Sequence, residues 1–540
     1  MPERACPPGT RPAGSRPAHQ QAGEGTGRLQ LRPAGDRRRQ AGKPLGDSDA
    51  GPPRPVALGV ADARHHLHVV GATGTGKSTL LTNLILADAA AGRGVAVLDP
   101  KGDLVGDVLA RLPAEAADRL VLIDPAETLA PAALNVLDTT GQNPELVTDR
   151  VVGVFARLYA AYWGPRIEDV LRCACLTLTR QPHPTFGNRP AGAGQPVATL
   201  ADIPRLLSDP RYRSTLVGRI TDPTGLGGFW SWYDALTDAA RAAVIGPVMT
   251  KLRGVLTRRF AVDLLGASAS TFNVTQILDG GILLARLPKG VLGDDTARLV
   301  GSLLLSALWQ TATARATLAE PDRLDAAVYV DECHNFMHLP GPTGDVLAEA
   351  RGYHLSLVLA HQHLGQLPRE LADAIAANAR NKAYFTVSPD DARILARHVG
   401  PYLSADDLTR LDRYQLACRL LAGGRDTHGF TLRTRPAPTP AADHSGLLRA
   451  AARARGRTAS ARRHADLTRQ LHRADPDLAA GSGCGQDDGP GDGVWPSVLP
   501  GVLPAVSPFA LETATQTNPP APAKPQVKGQ VCRSEREPDS

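Results

Sequence analysis

The sequence predicts an α/β fold: a central, mainly parallel sheet, interrupted by an all-α insertion and flanked by disordered tails. Three observations predict it. Short apolar runs ending in a carboxylate, such as Gly94-Val95-Ala96-Val97-Leu98-Asp99 and Ala326-Ala327-Val328-Tyr329-Val330-Asp331, alternate with helical stretches, as buried parallel strands do. From about 141 to 265 that pattern gives way to apolar residues at helical spacing and long polar connections. Residues 1–60 are rich in Pro, Gly and Arg, and residues 476–540 in Pro, Gly and Ala, compositions that bury too little apolar surface to fold.

The elements follow in order. His66-Leu67-His68-Val69-Val70 alternates polar and apolar residues, as a strand does. Gly71-Ala72-Thr73-Gly74-Thr75-Gly76-Lys77-Ser78 fits the phosphate-cradle pattern Gly-x-x-x-x-Gly-Lys-Ser/Thr. Thr79 to Ala87 is a strong helix former that stops near Gly92. Between a strand and a helix, glycines let the turn wrap tightly and aim backbone amides at phosphates. Lys77 then reaches the β- and γ-phosphates, and the Ser78 hydroxyl holds magnesium. The stretch Gly71 to Thr79 is therefore the candidate site for ATP and Mg2+.

Strand Gly94–Asp99 turns at Pro100-Lys101-Gly102-Asp103, and a further strand is expected over Leu120–Asp124. Helical segments are expected at Val147–Ala161, Ile167–Thr179, Ala235–Val248 and Met249–Phe260. Strands return at Gly281–Leu287, Ala326–Asp331, Leu355–Ala360 and Ala383–Val387, with a helix over Asp294–Thr317. The organisation read from this is a P-loop domain over 61–140 and 266–436, an all-α insertion over 141–265, and disordered ends. Residues 437–475 are expected to form a basic helical segment that leaves the body.

The chain of 540 residues has a formal net charge of +6, but residues 61–436 are neutral overall. Nucleic-acid affinity of the body must then come from local patches. Seven cysteines without framework spacing argue for a reducing, cytoplasmic compartment. Cys173 and Cys175 lack a second pair at zinc-site spacing and read as ordinary thiols. The sequence has no signal-peptide pattern and no uninterrupted apolar run long enough for a membrane span.

Two adjacent carboxylates end the strand Ala326–Val330. A solvated strand end accounts for an Asp-Glu pair by itself; downstream of a P-loop and on a buried strand, the catalytic reading prevails. Asp331 is expected to hold magnesium through water, and Glu332 to polarise the attacking water as a general base. The next strand leads into His361-Gln362-His363, which makes Gln362 the candidate γ-phosphate sensor. Arg351, just before that strand, is either an arginine finger for a neighbouring subunit or a solvent-exposed helix-end residue.

Gly71 to Thr79, Val97-Leu98-Asp99-Pro100-Lys101-Gly102-Asp103, Ala133-Leu134-Asn135-Val136-Leu137, Val330-Asp331-Glu332, Glu349-Ala350-Arg351 and Leu359-Ala360-His361-Gln362 resemble, in this order, the conjugative coupling proteins of type IV secretion systems. These are TraG/TraD-like members of the HerA–FtsK superfamily. The resemblance runs on through Asn378 to Phe385 and ends near Tyr414 to Thr431. It implies a RecA-like ATPase that assembles as a hexameric ring and pumps DNA. Lys77 and Ser78 would bind nucleotide and magnesium, Asp331 and Glu332 the metal and water, and Gln362 the γ-phosphate; Arg351 fits only loosely. Candidate DNA grips are Lys251, Arg253, Arg258, Arg259 and Lys289. The implied partners are DNA, further copies of the chain, and secretion-channel or relaxosome proteins.

Coupling proteins of this kind begin with membrane helices, whereas residues 1–60 offer none. That leaves a soluble relative, an anchor on another subunit that holds the chain at the inner face of the membrane, or an anchor upstream of this start. Two rival readings share the site: a soluble HerA-like DNA motor in processing or defence, and a P-loop scaffold or protein remodeller that does not act on DNA.

Overall fold

The computed structural model describes residues 42–49, 51–140, 142–181, 197–220, 222, 224–440 and 442–455. In chain order its strands are β1 (Lys43–Ser48), β2 (Pro55–Leu58), β3 (Leu67–Val70), β4 (Gly94–Asp99), β5 (Leu120–Ile123), β6 (Ile282–Arg286), β7 (Ala326–Val330), β8 (Leu355–His361), β9 (Asn381–Tyr384), β10 (Gln415–Arg419), β11 (Leu421–Ala422), β12 (Arg425–Asp426) and β13 (Phe430–Arg433). One large sheet runs β2-β1-β13-β10-β9-β3-β8-β7-β4-β6-β5, and β11 pairs only with β12. From β9 to β5 every pairing is parallel. Strands β10, β13, β1 and β2 add an antiparallel flank. The α/β class with a mainly parallel central sheet is thus the fold observed.

Both faces of the parallel sheet are covered. Along β4, Ala96 and Leu98 face one buried cluster while Val95 and Val97 face another. Strand β7 divides likewise, with Val328 and Val330 on the first side and Ala327 and Tyr329 on the second. This period of two in a run that is apolar throughout marks a strand buried on both faces. The helix Lys77–Ala90 covers the second face through Leu80, Leu84 and Ile85.

Between β5 and β6 every regular element among the described residues is helical. Where two helices meeting at Val248 and Met249 are expected, one helix runs Asp238–Leu256 straight through Pro247. Val244, Val248, Leu252 and Val255 bury one stripe along it. That continuous burial outweighs the backbone hydrogen bond that proline removes. Strand β9 lies two residues earlier than its apolar run implied, because Asn381 and Lys382 pair with Leu67 and His68 in the sheet.

Two expectations about the ends need correction. The segment 1–60 is not disordered throughout: β1 and β2 lie within it. Leu45 is buried, and Lys43 Nζ sits 2.8 Å from the buried Asp88 carboxylate. Proline hides these strands from a local reading: Pro55 opens the edge strand β2, and Pro44 sits where the β1–β2 register shifts, both places where a sheet tolerates it. Residues 1–41 lie outside the described residues. The basic segment does not leave the body at its start either. Residues 445–455 are helical, Leu448 is fully buried, and Arg449 donates to Asp124 and Glu127 at 3.0 Å each. The remainder of 437–475 after residue 455, and all of 476–540, lie outside the described residues. Among those described, no helix is long and apolar enough to cross a membrane.

Candidate active site

The cradle hangs between β3 and the helix Lys77–Ala90. Its backbone needs glycine at Gly74 (φ +80°) and Gly76 (φ +125°), where L side chains are strained. At Gly71 a Cβ would lie 2.5 Å from Phe385 Cβ, so close strand packing excludes a side chain there. Thr75 Oγ1 closes the loop onto the Ala72 carbonyl at 2.8 Å. No side chain caps the first amides of the helix, which leaves donors and the positive end of the helix dipole facing the cradle. Lys77 is buried, and its Nζ donates to the loop's own carbonyls, Gly71 at 2.5 Å and Ala72 at 3.1 Å. Burial lowers its pKa against the opposing pull of Glu332 and Asp331. Ser78 and Thr79 line the same cleft, which has a volume of about 220 Å³.

Strand β7 delivers Asp331 and Glu332 to the floor of this cleft, where Asp331 N donates to Leu98 O at 3.1 Å. Burial, then Glu332, then Asp99 push the Asp331 carboxyl up to about 6. Glu332 adopts a left-handed backbone (φ +46°) and is nearly buried. Burial alone would raise its pKa, but the Gln362 amide and the Lys101 ammonium together hold it below the usual carboxylate range. Both donors engage Oε1, Lys101 Nζ at 2.9 Å and Gln362 Nε2 closer still. Oε2 is buried with no hydrogen-bond partner among the described residues.

Gln362 follows β8 and bridges the two halves of the site. Its Oε1 accepts from Thr73 Oγ1 at 3.1 Å while its Nε2 reaches Glu332. The parallel order β3-β8-β7-β4 puts the cradle, Gln362, the acid pair and the Asp99 turn at neighbouring carboxyl ends, where ligands of open α/β sheets bind. Arg351 is not brought there. It is exposed in the turn Arg351–Tyr353 ahead of β8, at the amino ends of the parallel strands. Seven strand residues separate it from Gln362's end, roughly 20 Å at strand rise.

Three lining residues carry no role in the sequence reading beyond turn or boundary. Lys101 sits in the tight turn after β4. Its fixed neighbour Asp99 accepts from the amides of Lys101, Gly102 and Val105 at 2.8–3.0 Å. The one available signal is a lysine two residues after a strand-end acid, in the turn Asp99-Pro100-Lys101. Arg413 and Tyr414 come from the loop before β10. Tyr414 N donates to Thr75 O at 2.8 Å, its ring abuts Gly76, and the Arg413 guanidinium lies 4.8 Å from the ring centre. No local pattern announces that contact.

Among the proposed grips, Lys289 pairs with Asp294 at 2.8 Å and Arg259 with Asp263 at 3.5 Å. Lys251 Nζ stands 5.6 Å from the centre of the Tyr159 ring, and Arg253 and Arg258 are exposed. Cys173 and Cys175 lie two apart on the helix Pro165–Thr179, so they point to different faces; burial pushes both thiols up to about 12.

The strand–cradle–helix unit, with an acid pair on a parallel strand one place removed, defines a P-loop ATPase fold. Residues 40–155 match the family model described as the central domain of helicase HerA. Over most of its length the chain has the fold of the plasmid coupling protein TrwB. The TrwB complex with the non-hydrolysable GTP analogue GDPNP matches at 16% identity, covering 76% of this chain and 95% of that chain, with a TM-score of 0.50. The unbound monoclinic form of the bacterial conjugative coupling protein TrwBdeltaN70 matches at 15% identity over 76% of this chain and 94% of that one, TM-score 0.50. No curated protein matches the sequence. Family match and fold together bear out the resemblance to the HerA–FtsK superfamily of P-loop ATPases.

Proposed function

We propose that this chain is an ATP-driven DNA-translocating motor, of the type that couples DNA to a conjugative secretion channel, and that it works as a homo-oligomer, a hexameric ring. The observation that carries the ATPase reading is Gln362, whose side chain ties Thr73 of the cradle to Glu332. A sensor tied to both the phosphate cradle and the base is what hydrolysis gated by the γ-phosphate requires.

The residues fit a nucleotide with its metal. Uncapped helix amides suit phosphate, and the Asp331 carboxyl, raised to about 6 by burial and by Glu332 and Asp99, suits a cation. Magnesium would be held by the Ser78 hydroxyl and, through water, by Asp331; bound there, it would neutralise charge on the β- and γ-phosphates. Lys77 exchanges the Gly71 and Ala72 carbonyls for phosphate oxygens. Glu332, at the cleft floor, accepts the proton of the attacking water, and Gln362 fixes the direction of that carboxylate. Arg351 acts, if it acts on phosphate, from the neighbouring subunit.

The coupling-protein fold supports DNA as the cargo, with exposed Arg253 and Arg258 as the first candidates for backbone contacts. Secretion-channel or relaxosome proteins would then dock the ring at the inner face of the membrane. A second reading, a HerA-like motor in DNA processing, draws on the match of residues 40–155. The deciding experiment is steady-state ATP hydrolysis with and without single- and double-stranded DNA, in the native chain and in Glu332→Gln. Stimulation by DNA, and a loss of about 10²- to 10⁴-fold in the variant, are expected. Hydrolysis indifferent to DNA rules out the motor in favour of a protein remodeller.

A further inference from the structure

We propose that Lys101 is an exchange cation: it pairs with Glu332 until a triphosphate fills the cradle, then moves to the γ-phosphate and releases Glu332 for the attacking water. This rests on the ATPase reading above. Four observations carry it. Lys101 Nζ donates to Glu332 Oε1 at 2.9 Å, the very oxygen that Gln362 also engages, while Oε2 stays buried without a hydrogen bond among the described residues, with His334 Nδ1 3.9 Å away. The pair is asymmetric, because the glutamate side chain is 4% exposed and the lysine side chain 49%. The lysine therefore has open space to leave into, and the glutamate does not.

The backbone beneath Lys101 is fixed. Asp99 accepts three amide hydrogen bonds from the turn, and Leu287 N ties Asp99 O at 2.8 Å. Gly102, at φ +97°, has the Arg286 side chain where a Cβ would stand. A rigid base and a half-exposed four-carbon stem give a cation that swings about a defined pivot, which a lysine does more readily than a planar guanidinium. Finally, Lys101 lines the same cleft as Thr73, Lys77 and Ser78. Of the two lysines there, Lys77 already touches cradle carbonyls, whereas Lys101 holds the catalytic carboxylate. Triphosphate brings a stronger anion to the cleft than Glu332 offers, so the cation transfers to it.

The test is binding, not turnover. Affinities of the full chain for ATPγS and ADP, each with Mg2+, are measured in the native protein, Lys101→Gln, Lys101→Met, Glu332→Gln and the double variant Lys101→Gln/Glu332→Gln. Both Lys101 substitutions keep most of the stem, so the turn is preserved, and matching thermal melts confirm it. Loss of a charge-assisted contact to the γ-phosphate weakens ATPγS by about ten- to a hundredfold while ADP changes less than about threefold. Glu332→Gln, which frees Lys101 in advance, tightens ATPγS, and the tightening disappears in the double variant. An unchanged ratio of ATPγS to ADP affinity in both Lys101 variants overturns the exchange and leaves Lys101 as a fixed partner of Glu332. Failure of the native chain to bind ATPγS overturns the ATPase reading, and this inference falls with it.

Discussion

Asp331 illustrates how a residue of this site works against the fold that holds it. Its carboxyl, with an ordinary value of 3.8, is pushed up to about 6 by burial and by Glu332 and Asp99. The folded chain therefore binds that proton more tightly than the unfolded chain does. Stability from this group is greatest below pH 4, declines as pH rises from about 4 to 6, and stays reduced above that. In chelator at pH 7, Asp331→Asn removes the cost and is expected to stabilise the protein by roughly 1–3 kcal/mol, while hydrolysis is lost. Urea unfolding of both proteins from pH 3.5 to 7.5 checks this. The gap should close below pH 4, and a variant less stable than the native chain at pH 7 contradicts the account. At this scale the sequence exposed Lys77, Ser78, Asp331, Glu332 and Gln362, because each stands at a fixed offset from a strand end. It did not expose Lys101, whose partner is 231 positions away.

At the scale of elements, the strand–turn–helix unit around Gly76 is the least tolerant part of the structure. Gly76 has φ +125°, and a Cβ there would come within 2.9 Å of Tyr414 Cδ1 and 3.0 Å of Phe385 Cε1. Gly76→Ala is expected to cost about 1–3 kcal/mol from backbone strain alone and to abolish nucleotide binding, since relief of either contact displaces the cradle. Calorimetric melting together with nucleotide titration tests both halves. A variant that melts and binds like the native protein refutes the geometry. The same element scale explains what the sequence hid. Strands β1 and β2 carry prolines and resemble unstructured chain locally, yet β1 pairs with β13 and β2 with β1, which holds both at the sheet's flank. The basic helix over 445–455 docks because Leu448 finds the second apolar cluster and Arg449 finds Asp124 and Glu127.

The whole molecule decides what Arg351 can do. It lies at the amino ends of the parallel strands, whereas its own cradle lies at their carboxyl ends, so any contact with phosphate must come from another copy. Mixing then gives a discriminating result. Arg351→Ala subunits keep Glu332, and Glu332→Gln subunits keep Arg351. If the arginine serves a neighbour's site, a mixture of the two inactive proteins regains DNA-stimulated hydrolysis through interfaces that combine one intact half from each. Activity no greater than the sum of the separate proteins assigns Arg351 to the solvent-exposed surface.

The sequence by itself determined the P-loop pattern, the strand-end placement of Asp331, Glu332 and Gln362, and the parallel αβ alternation. Each depends on local rules: glycine where φ is positive, apolar runs where a strand is buried on both faces, and chemistry placed at strand ends. Only the tertiary structure decided that β9 meets β3 and β10, that Pro-bearing strands close the antiparallel flank, and that Lys101 and Gln362 converge on the Glu332 carboxylate while Thr73 holds Gln362. The order of strands across the sheet makes those contacts, some between residues hundreds of positions apart such as Lys101 with Glu332 and Thr73 with Gln362, and no local spacing encodes that order.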